Sequence, residues 1–345
     1  MWKHRAAASR TPGLDGRDAE LSDIMAELVS LPSVAEIADA GRTVDALHRL
    51  GIIGRGEFVG PNTQVLTHMR EDGDLLHVYA YHFLYETGET TEVNIRVPGK
   101  GAVNVLDPWT GRIRAHSGVS YEEAPITSTV IHTRLAPGEI ALFTVDRSLE
   151  GSASEANVLE TVADLTNWTI AVESWDAGPN EVIEEDRGLG YVSREIRPTT
   201  AITRISSPSR TLTPWKDLEG VGPEVSGIGE YRTSVFLDVV PKGRILLDLG
   251  STCGGLGSVS VNGEGPRGFD TSRPIVDISD LIRPGENEIM VRTASSLNNR
   301  LLARGYYETV PDLIALFSLG IEQNQTTYVR DHGLVGPVRL LVEKQ

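Results

Sequence analysis

The chain has 345 residues, enough for two or three domains that each bury a core. Its 32 basic against 48 acidic residues leave a formal charge of −16 without a long block of either sign, which argues against a nucleic acid or an anionic membrane as partner. The single cysteine, Cys253, excludes an intramolecular disulfide and a cysteine-based zinc site, and no metal or other cofactor is expected.

The N-terminal stretch "MWKHRAAASRTPGLDGRDAE" carries basic residues but no apolar run after them, and no stretch reaches transmembrane length. A cytoplasmic protein is expected. From Asp18 to Leu31 the residues Leu21, Ile24, Leu28 and Leu31 recur at helical spacing and Pro32 closes the run. "TVDALHRLG" predicts a second helix, with Thr43 as N-cap and Gly51 as the stop. Residues 1–60 are thus read as a helical N-terminal segment.

Between Val65 and Arg147 the period becomes two. "VLTHMR", "LLHVYAYHFLY", "TEVNIRVP", "AVNVLDPW", "RIRAHSGVSYE", "STVIHTRL" and "EIALFTVDR" read as seven strands, separated by the turns "EDGD", "ETGE", "PGKG", "PWTG" and "APGE". This predicts an antiparallel β-sandwich over residues 61–148. In "HVYAYHFLY" the alternation puts His77, Tyr79, Tyr81 and Phe83 on one face, read as aromatic core, with Val78 and His82 on the other. Histidines on opposite faces do not share a metal.

Residues 149–345 are read as a linker and a jelly roll. Residues 148–166 form the connection, and strands start at "NWTIAVESWD" and resume after a polar, proline-containing excursion over 176–224. They continue as "EYRTSVFLDV", "RILLDLG", "SVSVNG", "RPIVDIS", "NEIMVRTAS" and "GPVRLLVEK". Asn262–Gly263 and Pro284–Gly285 supply tight turns. The fold class is therefore mostly β: two antiparallel β-sandwiches, with a short helical N-terminal segment.

Three groups of residues bear on chemistry. Glu230 and Arg232 share one face of a strand and either hold a polar ligand or form a surface ion pair. "SSLNNRLLARGYYE" gathers Asn298, Asn299, Arg300, Arg304, Tyr306 and Tyr307 after a strand. They form either a ligand-binding loop suited to sugar or flat polycyclic rings, or a loop stabilised by its own side chains. Asp331 and His332 invite an acid–base reading, but neighbours on an extended segment point opposite ways, so each needs a partner from elsewhere, such as Glu230 or Tyr306.

The order "SGIGEYRTSVFL", "RILLDLG", "SVSVNG", "VDISDLIRPGENEIMVRTASSLNNRL" and "DHGLVGPVRLLV" resembles the galactose-binding-like jelly roll of family 2-type glycosidases, and more closely the C-terminal end of family 106 α-L-rhamnosidase-like proteins. "VLTHMREDGDLLHVYAYHF" and "AVNVLDPWTGRI" resemble the accessory sandwich before it, and "TVDALHRLGI" the last helix of the domain before that. Such proteins carry their catalytic carboxylates on a large N-terminal barrel for which this chain has no room, so no catalytic residue carries over. The resemblance implies a glycosidase-derived protein that binds a carbohydrate or a glycosylated small molecule. Two alternatives stand beside it. One is a repurposed enzyme for a non-hydrolytic cyclisation, isomerisation or elimination in natural-product biosynthesis. The other is an accessory subunit of a separate catalytic chain, and a homodimer is the further partner considered.

Overall fold

The computed structural model describes residues 18–84, 89–124, 126–155, 157–309 and 328–344. Residues 85–88, which include most of the expected "ETGE" turn, lie outside that set. The described chain is mostly β, as its alternation predicted, and is arranged as two sandwiches in series. Helices Asp18–Ser30 and Thr43–Arg49 come first. Thr43 is the first helical residue and not the cap: its hydroxyl donates backwards to the Ala40 carbonyl at 2.7 Å, and Arg42 takes the cap position.

In the first sandwich, β1 (Glu57–Phe58), β4 (Thr91–Pro98), β8 (Ser128–Leu135) and β7 (Val119–Glu122) form one sheet in that order. The other runs β2 (Val65–Asp72), β3 (Leu75–His82), β9 (Ile140–Asp146), β5 (Ala102–Leu106), β6 (Ile113–Ala115). "RIRAHSGVSYE" is thus two strands in two sheets, and Gly118, at φ 86°, takes a left-handed conformation where the chain crosses between them.

The face assignment in β3 is the reverse of the expected one. Leu76, Val78, Ala80 and His82 are buried, and His77, Tyr79 and Tyr81 lie half-buried on the outside. The inner layer is filled by Val93, Ile95 and Val97 of β4 and Ile131 of β8 against Leu76, Val78, Phe143 and Val145. A layer about 10 Å thick packed by facing aliphatics has no space for a row of tyrosine rings. Of the buried His82 ring nitrogens, Nε2 meets the Glu89 carbonyl at 2.9 Å and Nδ1 has no partner among the described residues.

The second sandwich pairs a sheet ordered β10 (Val158–Leu165), β21 (Val338–Lys344), β16 (Arg244–Asp248), β19 (Ile275–Asp277) with a six-stranded one. The latter runs β14 (Thr200–Ser207), β11 (Thr169–Ala177), β15 (Gly227–Leu237), β20 (Gly285–Ala294), β17 (Leu256–Val261), β18 (Glu264–Gly268). Two expectations change. The second half of the 148–166 connection is strand β10, and the 176–224 excursion contains an exposed hairpin, β12 (Glu181–Gly188) with β13 (Tyr191–Arg197), before β14 returns to pair with β11. Charged runs such as "EVIEEDR" hide strand character because all positions of this hairpin but Ser193 are exposed, which removes the alternation that marks a half-buried strand. The Asn262–Gly263 turn is as expected: both residues have positive φ, 54° and 81°, and join Val261 to Glu264.

The two sandwiches meet through charge. Arg112, from the turn before β6, reaches Asp280 at 3.4 Å and Asp277 at 3.7 Å, while Arg267 holds the same Asp280 oxygen at 2.6 Å. Arg273 spans back to Glu139 at 3.2 Å. The hydrogen bond from Arg267 pulls the Asp280 carboxyl from 3.8 down to about 2. A depressed carboxylate contributes stability that is complete above pH 3.8 and fades as pH falls through about 2. NMR titration is expected to give an Asp280 midpoint near 2 that returns towards 3.8 in Arg267→Ala. The inverted β3 face makes a second prediction for urea unfolding. Leu76→Ala should cost about 2–5 kcal/mol, as for large-to-small changes in a core, and Tyr79→Ala clearly less.

Candidate functional site

The core-facing phase of β11 runs Ile170, Val172, Ser174, Asp176, so the strand leaves the apolar core polar. At that end of the sandwich, "SSLNNRLLARGYYE" is a short helix, Asn298–Ala303, followed by a helical turn at Tyr306–Thr309, where a loop was expected. Helix-favouring Leu301, Leu302 and Ala303 account for the change.

Most of the polar side chains expected to meet a ligand turn inward. Asn299 is buried and clamps the Arg330 backbone from both sides, donating to its carbonyl and accepting from its N–H, each at 2.9 Å. Asn298 donates to the Tyr328 carbonyl at 3.0 Å and accepts from the Tyr307 hydroxyl at 3.2 Å. Arg300 donates to Ser174 Oγ at 2.8 Å and sits 3.6 Å from Asp176. Arg304 forks onto both Asp176 oxygens, and this hydrogen bonding holds the Asp176 carboxyl below its ordinary value. What faces solvent is a rim: Arg304, Tyr306 (43% exposed) and Tyr328 (65% exposed), with the Arg330 guanidinium 6.0 Å from the Tyr328 ring. Asp176, Ser174, Tyr328 and Arg330 were not singled out in the sequence. The apolar-to-polar switch along "TIAVESWDA" was the signal for the first two.

Glu230 and Arg232 do not join this cluster. They occupy the opposite phase of β15, on the outer sheet surface, in an ion ladder. Arg204 and Arg232 donate to one Glu230 oxygen at 3.0 and 3.1 Å, and Arg232 reaches Glu288 at 3.1 Å. Burial pushes the Glu230 carboxyl up, but the hydrogen bonds from Arg232 and Arg204 outweigh it, and the net shift is downward.

Asp331 and His332 diverge, as neighbours on an extended chain do. Asp331 meets Lys216 Nζ at 2.7 Å near the surface. His332 is buried edge-on against Trp215, with ring centroids 5.9 Å apart, and burial lowers its pKa. Beneath them Trp215 Nε1 donates to the Tyr231 hydroxyl at 2.6 Å, and the Leu334 N–H donates to the same oxygen at 3.0 Å. A side chain at Gly333 would overlap both Trp215 Nε1 and the Tyr231 oxygen. Among the described residues, no group of three or more His, Cys, Asp or Glu is placed to hold a metal, and no helix is long and apolar enough to cross a membrane.

No protein-family model matches the chain, and no curated protein matches it. Solved structures that share its fold include a rhamnosidase from Novosphingobium sp. PP1Y, 21% identical, with a TM-score of 0.57. That likeness covers 98% of this chain and 29% of the rhamnosidase, so the chain corresponds to less than a third of that protein. Its scaffold is thus of a kind found within a glycoside hydrolase.

Tyr231→Phe should strand two buried donors, Trp215 Nε1–H and Leu334 N–H. At roughly 1–3 kcal/mol for each unsatisfied group, urea unfolding of the second sandwich is expected to show a loss of about 2–6 kcal/mol.

Proposed function

We propose that the chain binds a carbohydrate, or the glycosyl part of a small molecule, at the rim of Arg304, Tyr306, Tyr328 and Arg330, and does not hydrolyse it. The fold shared with a rhamnosidase along nearly the whole chain carries this reading. Tyrosine faces pack on the apolar side of a sugar ring, and guanidinium groups donate to its hydroxyls. Hydrolysis of a glycosidic bond takes two opposed carboxyl groups with distinct protonation. Here Asp176 is held by Arg304, Asp331 by Lys216, and Glu230 by Arg204 and Arg232. Each of these three is tied to a cation.

Calorimetric titration with L-rhamnose, methyl α-L-rhamnoside and a panel of other glycosides tests the reading. Saturable binding is expected for at least one sugar. Arg304→Ala and Tyr306→Ala should each weaken it about tenfold, equivalent to about 1.4 kcal/mol, with p-nitrophenyl α-L-rhamnoside left intact. Absence of binding across the panel, or turnover of the rhamnoside, would overturn it.

A further inference from the structure

A different group of side chains, on the first sandwich, has the geometry of a nucleophile, a base and an orienting group. On the outer face of the sheet β4–β8–β7, three adjacent strands contribute one residue each. Asn94 lies directly opposite His132, and Ser120 lies opposite Val130, one diagonal step from His132. The alternate residues Val93, Ile95, Ile131 and Val119 fill the core, so the phase of the strands places all three polar groups on the outside.

The hydrogen bonds run in one direction. His132 Nδ1 lies 2.7 Å from Asn94 Oδ1, and since an amide oxygen only accepts, the ring proton sits on Nδ1. Nε2 is then the basic nitrogen, and it lies 2.8 Å from Ser120 Oγ, whose proton it accepts. The backbone that carries the ring is fixed on both sides: His132 N–H donates to Gly118 O at 2.8 Å, and His116 Nε2 meets the His132 carbonyl at 3.0 Å. A serine hydrogen-bonded to an imidazole that a third group holds in one tautomer is the arrangement that activates a hydroxyl for attack. Groups carried on paired strands are positioned more rigidly than groups on loops.

Ser120 and His132 open onto a surface hollow, while Asn94 stands behind the ring outside it. Ser120 and His132 line a pocket of about 450 Å³ with Gly118, Ala153, Ser154 and Glu155. The hollow is open to solvent and suits a small acyl group rather than a fully enclosed ligand. Its far wall is fixed by the two backbone hydrogen bonds between Val119 and Ser154, at 2.9 and 3.0 Å. The lining is small and neutral apart from Glu155, which disfavours an anionic substrate. The charges further along the same face are paired among themselves, Arg96 with Glu122 at 2.8 Å and Glu57 with His48 at 2.7 Å.

We propose that Ser120, His132 and Asn94 form an acyl-transfer site for neutral esters of short acyl groups. Ser120 Oγ adds to the ester carbonyl carbon as its proton passes to His132 Nε2. The carbon–oxygen bond to the alcohol breaks, and the alcohol leaves with that proton. Water then adds to the acyl-serine in the same way, releasing the carboxylic acid and restoring Ser120. Asn94 is a positioning residue. The proposal is independent of sugar binding at the other sandwich.

The test uses the full chain with a fluorophosphonate probe and with p-nitrophenyl acetate. One adduct per chain is expected, mapped by peptide mass spectrometry to Ser120, together with ester turnover. Ser120→Ala should abolish both, and His132→Gln should slow labelling by about 100-fold or more, the scale of a lost general base. Asn94→Asp, which keeps an oxygen acceptor, should retain more activity than Asn94→Ala. Circular dichroism melts establish that each variant is folded. If Ser120→Ala does not fold, the mapped adduct on the wild-type chain and the rate in His132→Gln decide the matter. A folded wild-type chain left unlabelled at Ser120, or a His132→Gln chain labelled as fast as wild type, overturns the proposal.

Discussion

The hydrogen bond from Trp215 to the Tyr231 hydroxyl sets the geometry of the second sandwich's loop end. Both side chains are fully buried, so their polar atoms must find partners within the protein or cost the desolvation of each. Tyr231 comes from the middle of β15 and Trp215 from the connection before it. Leu334, which donates to the same oxygen, comes from the segment before β21. One hydroxyl therefore ties three distant pieces of chain. Trp215 N–H to the His332 carbonyl, at 2.9 Å, adds a second tie between two of them. Gly229 and Gly333 keep the space around the pair clear, because a methyl at either position would push into the indole.

That lock explains why the helix Asn298–Ala303 is a scaffold before it is a binding surface. Residues 328–330 run over it, and Asn298 and Asn299 hold them there by their main-chain atoms. Buried amides used this way have little left to offer a ligand, since their donors and acceptors are already engaged. The rim side chains stand differently. Arg304 shares its guanidinium with Asp176 in solvent, where an ion pair is worth little and exchanges readily with another partner.

Sequence patterning revealed the two-sandwich plan, because aliphatic alternation and tight-turn pairs such as Asn262–Gly263 act locally. It was least informative where local pattern and tertiary packing part company. In β3 the alternation identified two faces correctly, yet which face turned inward depended on the aliphatic layer that β4 and β8 bring against it in the fold. The hairpin β12–β13 is exposed almost throughout, so no burial constraint imprints a period on it. "SSLNNRLLARGYYE" was legible as a dense polar group after a strand, but not as a helix whose amides close on residues 328–330. Those partners are about thirty residues distant and only the fold brings them together. Glu230 and Arg232 show the same limit in reverse. Their shared strand face was readable, whereas the cations and carboxylates completing the ladder, Arg204 and Glu288, come from strands that pair with β11 and β15 across the sheet.

The same distinction bears on where chemistry can arise in such a chain. An outer sheet face is ordinarily solvated, and polar residues there remain individually mobile. Two outer faces here are organised instead, by different means. On the second sandwich, opposite charges satisfy one another in a ladder, and hydrogen bonds from Arg232 and Arg204 hold the Glu230 carboxyl below its ordinary range, which suits structure. On the first, a serine, an imidazole and an amide from three adjacent strands are joined by hydrogen bonds. In the ladder, protonation of Glu230 would loosen the two arginines that donate to it. An imidazole with a hydroxyl on one side and an amide oxygen on the other is an arrangement suited to moving a proton, and it lies on the sandwich away from the arginine and tyrosine rim.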